Sequence, residues 1–288
     1  MNFILAAVLS NLSYAFADNA NGLLSKKNKP LAIAFWATAF GILIFFIPAI
    51  TIFSSELSRI TPTNLAIMLA INILVNVGYL SFITGMNKGS VTLTGVIGGS
   101  FPAVTTVAAL VFFGESVTML QAVAIVIVLV GVALSSMHGR VKDLIGDLHK
   151  SGAIFAFGAF FFWGIYFALV RIPIQEIGWF LPQYTSSFVG IVMFWLLSLH
   201  VKDKSVTKRP NMVWLIAVTA FLQVAGSMLF NYAISQGQTA IVAPIAGSSP
   251  AVFVIIAHFL FRERLNRKQW AGILLALSGI VSLALFSN

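Results

Sequence analysis

The chain has 288 residues, of which 59% are hydrophobic and only 9% charged, with a mean hydropathy of +0.98. An average soluble domain is about 25% charged, so this composition cannot cover a globular surface with polar groups and excludes a water-soluble enzyme. Cysteine is absent, which excludes disulfide frameworks, thiolate metal sites, iron–sulfur clusters and cysteine nucleophiles together. The net charge of +9 lies in the links between apolar blocks, where it acts as a topology signal and not as a nucleic-acid footprint.

A bilayer core takes about 20 mostly apolar residues per helix. Ten such blocks run along the chain, at 2–24, 30–53, 64–86, 91–113, 117–137, 150–171, 179–200, 211–234, 239–261 and 267–287. The first contains Ala15-Phe16-Ala17 ahead of Asp18, a pattern that resembles a signal-peptidase site. No Lys or Arg precedes its apolar run, and it has an internal counterpart at 150–171, so it is read as a retained helix.

Links after the odd-numbered spans hold 15 of the 17 basic residues: Lys26, Lys27 and Lys29; Lys88; Arg140, Lys142 and Lys150; Lys202, Lys204, Lys208 and Arg209; Arg262, Arg264, Arg267 and Lys268. Only Arg59 and Arg171 lie on the other side. The positive-inside rule therefore predicts a multi-pass protein of the inner membrane with both termini on the non-cytoplasmic side.

A shift of 148 residues aligns Phe101-Pro102-Ala103-Val104 with Ser249-Pro250-Ala251-Val252. The same shift lays Gly78 on Gly226, Gly89 on Gly237, Gly99 on Gly247, Glu115 on Glu263, Gln121 on Gln269 and Gly131 on Gly279. Each copy holds five spans, and an odd number turns the second copy upside down. The charges agree independently, because the links after spans 2 and 4 are poor in basic residues while their copies after spans 7 and 9 carry four each. The predicted fold is an all-α integral membrane protein with ten transmembrane helices as two inverted five-helix repeats, divided as 1–140 and 141–288. Inverted repeats that handle a substrate at their interface are a recurring transporter plan.

The fourth and fifth spans read GSFPAVTTVAALVFFGESVTMLQAVAIVIVLVGVAL, and the ninth and tenth GSSPAVFVIIAHFLFRERLNRKQWAGILLALSGIVSL. A mid-span Pro, a Glu at the helix end, then Gln and Gly at fixed spacing resemble the EamA repeat of the drug/metabolite transporter superfamily. Phe162-Trp163-Gly164, ending in Arg171, resembles its opening helix, with Tyr14-Ala15 the weaker match in the first copy. The resemblance covers nearly the whole chain. It implies a ten-helix secondary carrier, not an enzyme, working without an ATP-binding domain, and the groups it resembles in length and plan are the amino-acid exporters, the aromatic amino-acid exporter group among them.

A polar residue in hydrocarbon needs a partner or a water-filled cavity, which makes each one a site candidate. Seven of the eight acids fall in links or at helix ends, and Asp18 alone lies within a span. Asn11, Tyr14, Asp18 and Asn21 recur at helical spacing on one face. That face is placed to meet the ammonium or carboxylate of a zwitterion, and it equally fits a hydrogen-bonded helix end; Asp18 is also the candidate for a coupling proton. Asn72, Asn76 and Tyr79 in span 3 and Gln223, Ser227 and Asn231 in span 8 occupy corresponding helices, either lining one cavity or gluing helices together.

Pro102 and Pro250 interrupt corresponding spans, each after a small-residue cluster (Gly98-Gly99-Ser100; Gly247-Ser248-Ser249), and Pro244 adds a further one. Such breaks mark binding sites or hinges. Trp163 and Tyr166 are the aromatic candidates for the cavity wall, while Trp179 and Trp270 suit the interfacial belt. Glu115 and Glu263 read as structural. The four His residues do not cluster at metal-ligand spacing, and no GxxxxGK[ST] is present, so no metal or cofactor is expected.

The sequence thus predicts a carrier working by alternating access, with the lipid bilayer and a small organic metabolite as partners and an amino acid or related amine, exported, as the substrate class. The alternatives are uptake or exchange of another metabolite, a membrane-embedded lipid-modifying enzyme, and a non-transporting receptor or subunit. A lack of intramembrane Lys and Arg disfavours phosphorylated substrates.

Overall fold

The computed structural model describes residues 1–135, 152–200, 210–261 and 265–287. The boundary expected between residues 140 and 141, Glu263 and most of the basic residues in the links after spans 5, 7 and 9 lie outside them. Every element among the described residues is helical: α1 (Phe3–Ser25), α2 (Pro30–Thr51), α3 (Ser54–Leu57), α4 (Pro62–Lys88), α5 (Val91–Gly99), α6 (Pro102–Phe112), α7 (Met119–Ser135), α8 (Ala153–Leu169), α9 (Arg171–Glu176), α10 (Leu181–Leu199), α11 (Pro210–Gln236), α12 (Thr239–Ala246), α13 (Ser249–Phe261) and α14 (Arg267–Phe286). The ten expected spans are all present, the fourth as α5–α6 and the ninth as α12–α13. Seven stretches are long and apolar enough to cross a bilayer by length and composition alone. The polar face of α1 keeps that helix out of the seven.

Helix ends follow from local chemistry. Pro30 and Pro62 open α2 and α4, where the missing N–H costs nothing. The repeated Gln residues close capping boxes: the Thr118 and Asn266 amides donate to Gln121 Oε1 (2.8 Å) and Gln269 Oε1 (2.9 Å). The repeated glutamine of the motif therefore starts the fifth and tenth spans.

Packing obeys the repeat. The opening helix of each copy lies on the third helix of the other, α1 on α11 and α8 on α4. At each crossing a glycine admits an aromatic ring. A Cβ on Gly78 would lie 2.6 Å from Trp163 Cδ1, and one on Gly226 would lie 3.2 Å from the Tyr14 ring. Spans 4 and 9 cross where both break. A Cβ on Gly99 would lie 2.6 Å from Pro250 Cγ, and one on Gly247 would strike the ring of Pro102. Each copy's glycine seats the other copy's proline, as a two-fold relation between halves requires. Spans 5 and 10 (α7 and α14) pair backbone to backbone through Gly131, Gly272 and Gly279.

Contacts among the described residues place the even-numbered links on one face and the links after spans 1 and 3 on the other. On the face of the even-numbered links, Tyr232 Oη donates to Met1 O (2.9 Å), Gln121 Nε2 to Phe286 O (3.0 Å) and Leu181 N to Glu56 Oε2 (2.8 Å). On the opposite face, Lys26 Nζ donates to Met86 O (2.7 Å) and Gly89 O (2.8 Å). Large apolar side chains such as Leu43, Val111, Trp214 and Leu274 point outward, as a helix bundle in lipid demands.

Candidate functional site

Eight of the ten spans line a central cavity. The α7–α14 pair stands outside it. From the first copy come Tyr14 and Asp18 of α1, Thr38 of α2, Asn76 and Tyr79 of α4, Gly99 at the end of α5, and Phe101. The second copy supplies Trp163 and Phe167 of α8, Gln183, Ser186 and Ser187 of α10, Gln223 and Ser227 of α11, and Ser249 at the start of α13. A separate apolar groove between α4 and α10 faces outward, with Leu65, Leu69, Phe188 and Val192 in its walls.

The wall is held by hydrogen bonds both between and within the copies. Tyr14 Oη donates to Ser227 Oγ (2.9 Å) and Ser10 Oγ to Gly226 O (2.7 Å), fixing α1 on α11. Trp163 Nε1 donates to Val75 O (3.2 Å), and Asn76 Nδ2 donates to Asn72 O (2.8 Å) and Ser186 O (2.9 Å). Tyr166 Oη donates to Gln183 Oε1 (3.1 Å), whose Nε2 donates to Ser186 Oγ (3.0 Å). Phe101 stacks on Phe167 with centroids 4.5 Å apart and meets Trp163 edge-on at 5.9 Å. Tyr14 meets Phe167 edge-on at 6.2 Å, so these rings form one continuous wall.

Two groups in the cavity stand out. Asp18 is 6% exposed, and among the described residues its carboxylate has no hydrogen-bond partner. Gln223 Oε1 is also buried without one. Orphaned buried acceptors are costly, and both point to a bound donor. The lining contains one acid and no Lys, Arg or His.

Of the residues singled out from sequence, Tyr14, Asp18, Asn76, Tyr79, Trp163, Gln223 and Ser227 line the cavity. The others stand behind its wall. Asn11 Nδ2 donates to Ile245 O (2.8 Å) and to Ser248 Oγ, tying α1 to the break in span 9. Asn72 Nδ2 donates to Thr185 Oγ1 (3.0 Å), and Tyr166 buttresses Gln183. Asn231 donates to Trp179 O (3.1 Å) near the face of the even links. Pro102 and Pro250 are spent on the reciprocal crossing, where their neighbours Gly99 and Ser249 reach the cavity. Trp179 packs against Phe53 and Tyr232 at the end of the bundle.

Sequence reasoning missed the α10 contribution. Gln183, Ser186 and Ser187 recur at helical spacing in an otherwise apolar span, which was the available signal. Glu115, read as structural, accepts from Thr239 N (3.0 Å) and Ala240 N (2.7 Å) and pairs with Arg171, capping α12 far from the cavity.

The sequence model of the EamA-like transporter family matches residues 1–137 and again 150–285. The chain is 27% identical over 137 residues to the protein RarD of Salmonella typhi, and the match covers 46% of each. The chain therefore spans under half of RarD's length. It is 21% identical over 282 residues to an uncharacterized transporter of Archaeoglobus fulgidus, covering 96% of this chain and 98% of that one. A crystal structure at 10% identity superposes over 99% of this chain and 97% of its own with a TM-score of 0.75, a likeness of fold alone.

Proposed function

We propose, on the premise that the chain belongs to the EamA-like transporter family and is a membrane transporter, not an enzyme, that it exports a small amine-bearing metabolite, an amino acid or related amine, by alternating access. The observation that carries the reading is the unpartnered Asp18 carboxylate in a cavity lined by both copies. An ammonium group supplies the donors that Asp18 and Gln223 lack, and the rings of Tyr14, Tyr79 and Trp163 add cation–π attraction. Access alternates as the expected repeats, 1–140 and 141–288, move about the crossing of Gly99 with Pro250 and Gly247 with Pro102. The aromatic wall fits an aromatic or apolar body on that amine.

The 15-to-2 split of basic residues supports an inner-membrane orientation with both termini outside, and a reporter fused at Asn288 that reads as cytoplasmic would overturn it. Asp18 serves the amine or, in a proton-coupled cycle, exchanges the amine for a proton at the same carboxylate.

The test is counterflow in proteoliposomes of the purified protein with a panel of labelled amino acids and amines, with and without an imposed pH gradient. Accumulation of an amine-bearing compound, lost in Asp18→Asn while folding is retained, is the expected result. No flux for any member of the panel refutes the substrate class, and flux that ignores the pH gradient removes the proton.

A further inference from the structure

The cavity's charge and hydrogen-bond census narrows the substrate further, and this inference rests on the cavity being the transport site. Four of its donors are engaged: the Trp163 indole on Val75 O, the Asn76 amide on Asn72 O and Ser186 O, the Gln183 amide on Ser186 Oγ, and the Tyr14 hydroxyl on Ser227 Oγ. Two buried acceptors, Asp18 Oδ1 and Gln223 Oε1, lack a partner, and the remaining polar groups of the lining are neutral hydroxyls, amides and an indole.

Three of the cations described elsewhere in the chain are engaged at the ends of the bundle. Arg171 pairs with Glu115 at one end of the bundle. At the other end Lys26 holds Met86 O and Gly89 O, and Lys88 sits 4.7 Å over the Phe155 ring.

We infer that the site takes an ammonium group that has no carboxylate beside it: its substrate is a monoamine cation on an aromatic or apolar body, the decarboxylated counterpart of an amino acid. With such an amine bound, Asp18 is neutralised and the cavity carries no net charge. A zwitterion brings its own carboxylate into a space with no cation to receive it, and the cavity is left with a net negative charge. Desolvating an unpaired carboxylate is strongly unfavourable. The flat rings of Phe101, Phe167 and Trp163 suit the apolar body.

The experiment compares phenethylamine with phenylalanine, and tyramine with tyrosine, as labelled counterflow substrates and as competitors in proteoliposomes. Each amine is expected to compete at a concentration at least tenfold lower than its parent amino acid. Asp18→Glu, which keeps the charge, should retain the preference, and Asp18→Asn should abolish it. Phenylalanine carried as well as phenethylamine overturns the inference and leaves transport of amine-bearing metabolites standing. Flux of neither series overturns both. An amine preference that survives in a folded Asp18→Asn protein removes the carboxylate as its cause and overturns the assignment.

Discussion

The reciprocal crossing at the bundle centre gives a quantitative prediction. Carbon atoms rest about 3.5–4.0 Å apart, and a Cβ added at Gly99 would lie 2.6 Å from Pro250 Cγ. The overlap is about 1 Å, against a proline ring held in a packed helix start. Overpacking of this kind costs about 1–3 kcal/mol. Replacing glycine in a helix interior returns at most about 1 kcal/mol, and less here because Gly99 is the last residue of α5. The net loss for Gly99→Ala is about 1–2 kcal/mol, which lowers the melting temperature in detergent by about 2–4 °C per kcal/mol. The double variant Gly99→Ala/Pro250→Ala removes the opposing ring and should recover about 1 kcal/mol relative to the sum of the single effects. A Gly99→Ala protein that melts with the wild type, or a double variant that is simply additive, refutes the claim that the two copies meet through this contact.

Glu115→Ala leaves Arg171, only 21% exposed, without its partner and uncaps α12; breaking such a pair costs about 3–5 kcal/mol, and Glu115→Gln, which keeps one acceptor, should melt at a higher temperature than Glu115→Ala. Ser227→Ala strands the buried Tyr14 hydroxyl, whereas Tyr14→Phe/Ser227→Ala removes both partners; a cost of about 1–3 kcal/mol for the first and a smaller one for the second would show in thermal melts. Burial pushes the Glu56 carboxyl above the ordinary value, against the backbone amides of Leu181 and Phe180 that hold it down. A raised pKa in the folded state means that the charged form is the less favoured, so wild type should lose stability relative to Glu56→Gln as pH rises through that pKa; melting temperatures that run parallel with pH would refute it.

Much of the fold was legible because the bilayer imposes a length and the repeat imposes a partner. Ten apolar blocks and one constant offset are long-range signals, and Gly99, Gly247, Pro102 and Pro250 stood out by occurring twice. The cavity was legible only in part. Helical spacing showed that Asn11, Tyr14 and Asp18 share a face, but Asn11 turns to Ile245 O and Ser248 while Tyr14 and Asp18 reach the cavity, a distinction set by the angle between helices. Gln183 and Ser186 were hidden for another reason: α10 has no polar residue that stands out as strongly as an intramembrane carboxylate. Asn231 illustrates the reverse, a conspicuous polar residue spent on the backbone of Trp179.

The way the two copies interlock also bears on how the protein is made. During synthesis α1 enters the bilayer long before α11, its main packing partner, exists. Until then Asn11 and Tyr14 have no helix of the second copy to bond, and the Asp18 carboxylate faces lipid at a cost of up to about 2.5–3.5 kcal/mol. The first copy is therefore an unfinished object, and α1 is the segment that depends on the insertion machinery for longest. Chains that stop after the first five helices should be retained by that machinery or degraded.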